Sequence, residues 1–392
     1  MDTSSTNEMR ARTCKGVFGI RLGMNFRLVI VLSLALSSFF VLKAQETPDW
    51  VIGPFTRPEP GGPVITPRPS STFTDPVLDA PVHWEALHTF NPAAIVRQGK
   101  VYLLYRAEDD SGTMVVGGHT SRLGLAESAD GIHFERHAAP VFFAAKDEQR
   151  SREWPGGVED PRLVEAPDGT YVLTYTQYNR TTYSVGIATS PDLTHWTKYG
   201  PAFGEGSNNK YALLQYKSAG IVTERKDDRL VAVKIKGNYW MYWGEGTIRL
   251  ATSPDLLHWT PVEVAGGKPV EILHPRRDHF DSTFPETGPP PVLTDAGIVV
   301  LYNGKNETEH GDPALGANAY SMGEALFDRN DPAHLLAQTN HPILKPEKGY
   351  EKTGQYIAGT TFAEGLVFFH KQWFLYYGCA DSLVALAFTS KQ

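Results

Sequence analysis

The chain has 392 residues, of which 41% are hydrophobic and 21% are charged, and its formal net charge is −7. This is the composition of a globular protein, long enough for one large domain or two small ones. Its acidic balance argues against binding to nucleic acid or to an anionic lipid surface, so neither is expected as a partner.

The first predicted element is a secretory signal over residues 1–44. Basic side chains from Arg10 to Arg27 precede the apolar run LVIVLSLALSSFFVL, and the small residue Ala44 follows it. The run is shorter than the roughly 20 residues of a membrane span, so we predict cleavage and export to the periplasm or the medium. An uncleaved N-terminal anchor is the alternative. Cleavage would remove six basic and two acidic side chains, which makes the net charge −11 and leaves no membrane contact.

Cysteine usage excludes a disulfide framework. Cys14 lies in the predicted signal, and Cys379 is then the single cysteine of the mature chain. No intrachain disulfide can form, so the fold depends on its core. We interpret Cys379 as a small buried hydrophobic residue rather than as a nucleophile.

A proline-rich segment over residues 45–81 follows the signal and includes RPEPGGPVITPRPSS. Proline cannot donate a backbone hydrogen bond, so this segment is not a central strand. We predict an extended arm, in part a linker, ahead of a catalytic domain over residues 82–392.

The predicted domain is built from internal sequence repeats. The stretches LAESADGIHF, IATSPDLTHW and LATSPDLLHW place Ala126, Ala188 and Ala251 at spacings of 62 and 63, and weaker copies contain Ala325 and Ala387. Each copy follows an apolar strand: VYLLYRAED, YVLTYTQYN, YWMYWGEG, IVVLYNGKN and WFLYYGCAD. Each of these follows a leading segment: FNPAAIV, VEDPRLVE, KSAGIVTE, ETGPPPVLT and FAEGLVFF.

These five units predict an all-β fold, because they consist of short strand-like runs between Gly, Pro and Asp turns and show no helical period. Repeats of about 62 residues fit a five-bladed β-propeller, whose blades are four-stranded sheets around a channel. A solenoid is the structural alternative, although its repeats are usually shorter. We interpret the repeated stretch Asp255–Trp259 as a turn and a packing aromatic, because one active site does not need several copies.

The leading segments are taken as the innermost strands, so their polar side chains are expected to face the channel. Alignment of the units places different residues at this position: Asn91, Asp160 or Glu159, Lys217 or Ser218, Glu286, and Glu364. The ends of the second strands add Arg106, Glu108, Asp109, Gln177, Glu245, Asn303 and Asp381. Nearby aromatic residues are Trp154, Tyr178, Trp240, Trp243 and Phe280. Carboxylates, cations and aromatic rings together are typical of a carbohydrate site, and paired carboxylates match glycoside chemistry.

Other chemistries have little support in the sequence. It contains no G-x-S-x-G elbow, no P-loop and no C-x-x-C pair. His274 and His279 in HPRRDH have an unspecific spacing, and we interpret them as part of an exposed loop. We therefore expect no cofactor and no metal site.

Several motifs occur in the order of a known family: FNPAAIV, YLLYRAEDDSG, LGLAESADGIHF, GGVEDPRLVE, YWMYWG, ETGPPPVLT, LYNG and YYGCAD. From about Phe55 to the C-terminus the chain resembles glycoside hydrolase family 130, the mannoside phosphorylase and β-mannosidase family. The resemblance implies a five-bladed propeller that binds a mannose-containing oligosaccharide. It places the general acid on Asp160, whose orientation and pKa Glu159 and Arg162 would set. The sugar-binding positions that it implies are Asn91, Arg106 and Asp381.

The family divides by its second reactant. Its phosphorylases hold phosphate with Arg, Lys and His, whereas its hydrolases carry glutamates that activate water. Here either Glu245 or Glu286 would be the base that activates water opposite Asp160, and both would repel phosphate. Lys217 is the one candidate phosphate ligand. The resemblance, together with the predicted export, favours an exo-acting, inverting β-mannosidase for β-1,2-linked mannosides. A phosphorylase with inorganic phosphate as co-substrate and a sugar-binding propeller without catalysis are the alternatives, and the sequence specifies no oligomeric state.

Overall fold

The computed structural model of the chain describes Gly19 and residues 48–204, 210–212 and 214–391. The chain divides into one unit over Met1–Glu46 and another over Thr47–Gln392. Apart from Gly19, the predicted signal over residues 1–44 lies outside the described residues. In the part of the chain that the structure describes, no helix has both the length and the apolarity to cross a membrane.

Among the described residues of the second unit, antiparallel pairing groups most strands into five meanders, and short parallel pairs link three of these into one 15-stranded sheet. A hairpin of β1 (Phe73–Asp75) and β2 (Ala80–Val82) precedes them. The first meander contains β3 (His88–Arg97), β4 (Lys100–Glu108), β5 (Ser121–Ser128) and β6 (Glu135–Arg136). The second contains β7 (Gly157–Glu165), β8 (Tyr171–Tyr178), β9 (Tyr183–Ser190) and β10 (Thr197–Pro201).

The third meander has extra short strands beside its main ones. The main strands are β11 (Ala219–Ile221), β15 (Asn238–Trp243), β16 (Ile248–Ser253) and β17 (Thr260–Pro261). Of the short ones, β14 (Lys234–Ile235) pairs with β15, and β18 (Glu271–Leu273) pairs with β16. The other two, β12 (Thr223–Lys226) and β13 (Arg229–Ala232), pair with each other and, in parallel, with strands of the fourth and second meanders. The fourth meander contains β19 (Phe284–Thr287), β20 (Val292–Leu293), β21 (Ile298–Lys305), β22 (Tyr320–Phe327) and β23 (Leu335–Gln338). The fifth contains β24 (Thr361–Phe369), β25 (Gln372–Cys379) and β26 (Leu383–Phe388). A short helix, α1 (Arg150–Glu153), and a 3-10 turn over Gly349–Glu351 lie between strands.

Apolar clusters join each meander to the next. Residue pairs that share a cluster across successive meanders are Leu104 with Leu163, Ile187 with Met241, Tyr242 with Val300, and Leu301 with Leu375. A fifth cluster contains Tyr376 of the last meander and Leu103 of the first. Side-chain packing thus returns from the last meander to the first.

The all-β prediction is confirmed by these elements. The described strands do not form one closed hydrogen-bonded sheet, so the five-bladed propeller stays a prediction. Cys379 is buried with a free thiol, as interpreted from the sequence.

The repeated stretch at Asp255 is a turn. Its Oδ1 accepts the backbone N–H groups of Leu257 at 2.9 Å and His258 at 3.0 Å, and Trp259 is fully buried behind it. In the second sequence repeat, Asp192 accepts backbone N–H groups in the same way and holds the corresponding turn. The interpretation of this motif as a turn and a packing aromatic is confirmed.

The proline-rich segment lies along the last meander. Thr56 bridges to Phe388 and Ile65 bridges to Val384, both in β26. The bridges are antiparallel and occupy the edge of β26 that β25 leaves open. The segment therefore takes the place of an outer strand in the fifth meander.

A buried carboxylate also holds this segment. Glu324 in β22 accepts the backbone N–H groups of Ile52 at 2.8 Å and Gly53 at 3.2 Å. Burial raises the pKa of Glu324 to about 7, although both backbone bonds lower it.

Candidate active site

In several meanders a polar residue interrupts the regular pairing between the first strand and the second. The register shifts around Asn91 in β3, around Asp160 in β7 and around Glu364 in β24. Asn91 and Asp160 have φ angles of 44° and 48°, in the left-handed region that Asn and Asp tolerate better than most residues. Such bulges re-aim a side chain out of the strand pattern. A Cβ atom at Gly378 would lie 2.2 Å from Asn91 Oδ1, so this approach requires glycine there.

Arg106, from β4, holds three carboxylates on one side of the site. Its Nη1 donates to Asp160 Oδ1 at 3.1 Å, and its Nη2 donates to Glu108 at 2.7 Å and to Glu159 at 2.9 Å. Asn91 Nδ2 also donates to Asp160 Oδ1, at 2.8 Å. These bonds involve charged groups in a buried place, so they fix the Asp160 carboxylate strongly.

The adjacent carboxyls have opposite pKa shifts. Burial alone would raise the pKa of Asp160, but Arg106 and Lys217 lower it to about 2. Burial raises the pKa of Glu159 to about 7, because Arg106 offsets it only in part. The two groups titrate as a pair. A proton that the pair takes up below about pH 7 therefore resides on Glu159, and Asp160 is ionised.

Arg162 lies beneath Asp160 and joins three meanders. Its Nη1 donates to the backbone carbonyl of Asp160 at 3.0 Å, and its Nη2 donates to that of Thr287 at 2.7 Å. Nη1 also lies 3.1 Å from Glu364 Oε1. Burial raises the pKa of Glu364 well above its usual range, although Arg162 opposes the shift.

Lys217 and two glutamates form the other side of the site. An antiparallel bridge pairs the backbones of Glu245 and Glu286. Lys217 Nζ lies 3.4 Å from Glu286 Oε1 and 3.7 Å from Glu245 Oε2. Ser218 Oγ donates to Glu286 Oε1 at 2.5 Å. Burial alone would lower the pKa of Lys217, but Glu286 and Glu245 raise it well above its usual range.

Glu286 is fully buried, and its Oε2 has no hydrogen-bond partner among the described residues. Burial raises the pKa of Glu286, and Lys217 opposes the shift. A buried acceptor without a partner is costly, so this oxygen is well placed to receive a ligand.

A cavity of about 230 Å³ brings the two sides together. Seven of the residues predicted from the sequence line it: Asn91, Arg106, Glu159, Asp160, Lys217, Glu286 and Asp381. Burial raises the pKa of Asp381 to about 7, and Arg106 opposes the shift.

Aromatic residues complete the wall of this cavity: Phe90, Tyr178, Tyr320, Tyr356 and Phe362. Sequence reasoning indicated Tyr178 and missed the other four rings, Phe90, Tyr320, Tyr356 and Phe362. Tyr320 is the first residue of β22, the third long strand of its repeat, and it pairs with Lys305 at the end of β21. An alignment of the repeats that included the starts of these strands would have indicated Tyr320. Tyr356 lies in the loop before β24, which carries no repeat signal.

The walls of this cavity do not include the other residues named from the sequence: Glu245, Trp243, Arg162, Ser218, Glu364, Glu108, Asp109, Gln177, Asn303, Trp154, Trp240 and Phe280. Glu245 and Trp243 line a neighbouring cavity of about 670 Å³, and Lys217 lies in the walls of both. The Trp243 ring is 1% exposed and packs 4.8 Å from the Phe203 ring and 5.3 Å from the Tyr216 ring. Arg162 donates to the backbone carbonyl of Asp160. The loop of His274 and His279 is largely exposed, as interpreted.

The cavity thus combines carboxylates on two sides, two cations and aromatic walls within an all-β repeat. This is the arrangement of a carbohydrate-processing protein, since it offers both hydroxyl-binding groups and a pair of acids for glycosidic chemistry.

Comparison with known proteins identifies the family. The model of glycoside hydrolase family 130, described as beta-1,4-mannooligosaccharide phosphorylase, matches residues 63–392. A 1,2-beta-oligomannan phosphorylase from Thermoanaerobacter sp. (strain X514) is 33% identical over 308 residues, which cover 78% of this chain and 90% of the relative. The chain belongs to glycoside hydrolase family 130, and the resemblance drawn from its motifs is confirmed.

Solved structures of higher identity are also similar. A glycosyl hydrolase from Bacteroides ovatus is 46% identical with a TM-score of 0.86, and the match covers 88% of this chain and 97% of that one. A second structure is described with the words "The GH130 family of mannoside phosphorylases contains glycoside hydrolases that target beta-1,2 mannosidic linkages in Candida mannan". It is 47% identical with a TM-score of 0.87, and the match covers 88% of this chain and 97% of that one.

Proposed function

We propose that this chain is an exo-acting, inverting β-mannosidase that hydrolyses β-1,2-linked mannosides. The observation that carries the proposal is the placement of Asp160 and Glu286, from different meanders, in the wall of one small cavity. Its volume of about 230 Å³ lies below the roughly 300–1,000 Å³ of typical ligand pockets. A cavity of this size suits a single terminal sugar, and hence exo action.

Asp160 would protonate the leaving oxygen. Asn91 and Arg106 both bind its Oδ1, which leaves Oδ2 to face the glycosidic bond. Because Asp160 is ionised in the free protein, it must gain a proton once substrate is bound. Displacement of water by the sugar favours the neutral carboxyl, and Glu159, bound to the same guanidinium, is the neighbouring source of that proton.

Glu286 would act as the base that activates water. Lys217 favours its ionised form, and burial makes the carboxylate more basic than usual. Glu245, paired with it through the backbone, would share the Lys217 charge. An inverting pair is about 6.5–9.5 Å apart to admit a water molecule, and placement on opposite sides of one cavity supports such a separation.

The cations of the cavity favour water over phosphate as the second reactant. Among the described lining residues, the cationic ones are Arg106 and Lys217. Arg106 is engaged by three carboxylates, and Lys217 lies between two. A phosphate ion would therefore meet nearby negative charge on either side.

We further propose that the five meanders are the blades of a β-propeller. Apolar clusters join each meander to the next, and the cluster that contains Tyr376 and Leu103 joins the fifth meander to the first. This ring of contacts supports the arrangement. The sugar would then bind at one end of the central channel, where the bulges of the first strands lie. We also propose that the mature protein is exported and that no cofactor takes part in the reaction itself.

A product assay tests the proposal. The protein is incubated with β-1,2-mannobiose with and without inorganic phosphate, and free mannose and mannose-1-phosphate are quantified. We expect equal release of mannose in both conditions, with α-mannose as the sugar first formed in nuclear magnetic resonance spectra. Initial β-mannose would exclude inversion.

A phosphorylase is the second candidate, because the relative at 33% identity is named as a phosphorylase and Lys217 lies in the cavity. A rate that requires phosphate, with mannose-1-phosphate as product, would establish it. Binding of mannobiose in calorimetry without any turnover would instead indicate a sugar-binding protein.

A further inference from the structure

Beside Arg106 lies a cluster of three side chains of the types that can bind metal ions: His88, Glu108 and His119. His88 begins β3 and pairs with Glu108, the last residue of β4. The loop from β4 to β5 brings His119 back to the same place, since Asp109 N–H donates to the Thr120 carbonyl. One nitrogen of each ring and a carboxylate oxygen of Glu108 all lie within 4.8 Å of one another.

The histidine rings are already oriented by other partners. His119 Nδ1 lies 2.7 Å from the Ser111 carbonyl, which can only accept, so Nδ1 carries the hydrogen. His88 Nδ1 lies 2.9 Å from Ser382 Oγ, which has the Ala380 carbonyl as an acceptor for its own hydrogen. Nε2 is then the nitrogen that keeps a lone pair in both rings. Metal-binding histidines are typically held by such a bond from the other ring nitrogen.

Two of the three side chains are shielded from solvent. His119 is 2% exposed and Glu108 is fully buried.

The surrounding charge also admits a cation. Arg106 is the nearest positive group and donates to Glu108 Oε1 at 2.7 Å. Its single charge is shared with Glu159 and Asp160 as well, so carboxylates are in excess around it. Glu108 Oε2 accepts one bond, from Gln355 at 3.0 Å, and each carboxylate oxygen has capacity for a second partner.

We propose that His88, Glu108 and His119 bind a zinc ion, with water as the fourth ligand. Two imidazole nitrogens and a carboxylate are a donor set that zinc accepts. Zinc–nitrogen bonds of about 2.0–2.1 Å at a tetrahedral angle place ligand atoms roughly 3.4 Å apart. The side chains lie within 4.8 Å of one another and would therefore draw together by up to about 1.4 Å on binding.

The ion would act as a positioning site rather than as a catalytic one. The loop that carries His119 also carries Val116 and Gly117, which line the cavity of Asp160. Zinc would tie this loop to the ends of β3 and β4. It would thereby hold one wall of the sugar cavity in place.

Metal binding to the full chain tests this site directly. Protein stripped with a chelator and dialysed is titrated with zinc chloride in a calorimeter, and cobalt(II) is used as a spectroscopic probe. We expect one ion per chain with a Kd below about 1 μM, visible absorption typical of a tetrahedral cobalt site, and a rise in Tm with zinc.

Variants locate the ion. His88→Ala and His119→Ala should each weaken zinc binding by about 10–100-fold or more, because each removes a ligand. His133→Ala is the matched control, since His133 is an exposed histidine that also lies beside a carboxylate, that of Asp130. Its affinity should equal that of the unmodified protein. Absence of binding to the unmodified protein at 100-fold the expected Kd, or equal affinity in all three variants, would overturn the proposal. If one alanine variant fails to fold, the other and the cobalt spectrum still decide it.

Discussion

Replacement of Asp160 by asparagine separates its catalytic role from its structural one. The amide oxygen of Asp160→Asn can accept the same bonds from Asn91 and Arg106, so the fold should survive. The folded-state pKa of about 2, against a usual 3.8, shows that folding favours the ionised group, by at most about 2 kcal/mol. The sign is that of a depressed acid: this contribution is present above about pH 3.8 and is lost as the pH falls through about 2. The variant should thus lose less than about 2 kcal/mol of unfolding free energy at pH 7, because removal of the Asp160 charge favours the ionised form of Glu159.

The rate should fall much more than the stability. Loss of general acid catalysis costs about 10²–10⁴-fold, or roughly 3–5 kcal/mol in the barrier for β-1,2-mannobiose. An aryl mannoside with a nitrophenolate leaving group needs no protonation, so most of its rate should be retained. Asp381→Asn is the matched control, because it should impair both substrates alike. An equal loss of Asp160→Asn on both substrates would refute the assignment of Asp160 as the acid.

Four further predictions follow from the site and the core. Asp381→Asn should raise KM by about 10–150-fold, the value of a hydrogen bond to a charge, and an unchanged KM would place Asp381 outside the sugar site. Glu286→Gln should lose hydrolysis, and added azide should restore turnover with α-mannosyl azide as product in nuclear magnetic resonance spectra. If the variant keeps full hydrolytic activity and azide has no effect, Glu286 is not the base. In a pH series, kcat/KM should fall as the pH rises through about 7, because the Glu159–Asp160 pair then loses its proton; a flat profile to pH 9 would contradict this. The unfolding free energy of the parent should fall by up to about 1.4 kcal/mol per pH unit between about pH 4.5 and 7 from Glu324 alone, since its folded pKa is raised and the protonated form is favoured by folding. Glu324→Gln should flatten that slope in denaturant titrations, and identical slopes would refute the assignment.

The repeat made much of the site predictable. Alignment of units from sequence placed Asn91, Asp160 and Glu364 at one level, and the structure has a bulge at each of them. The prediction worked because a repeated scaffold puts aligned residues at equivalent places, so residues that differ between units stand out against the packing residues that recur.

Other parts of the site do not follow from sequence. Trp243 was grouped with sugar-binding aromatics, yet it packs in the core beside Met241, whereas its neighbour Tyr242 lies in the next cluster. Both faces of β15 are buried, so alternation along the strand does not distinguish a core ring from a site ring. Tyr356 reaches the cavity from a loop, and its position depends on tertiary contacts.

The docking of Thr56 and Ile65 on β26 has a consequence for the order of folding during synthesis. Thr56 precedes its partner Phe388 by 332 residues, and Ile65 precedes Val384 by 319. The segment that carries Thr56 and Ile65 therefore cannot complete its pairing until β26 has been synthesised. Contacts of such sequence separation close late and slowly. Until then this segment is an unpaired strand edge, and this is the interval in which aggregation or chaperone binding would act on it.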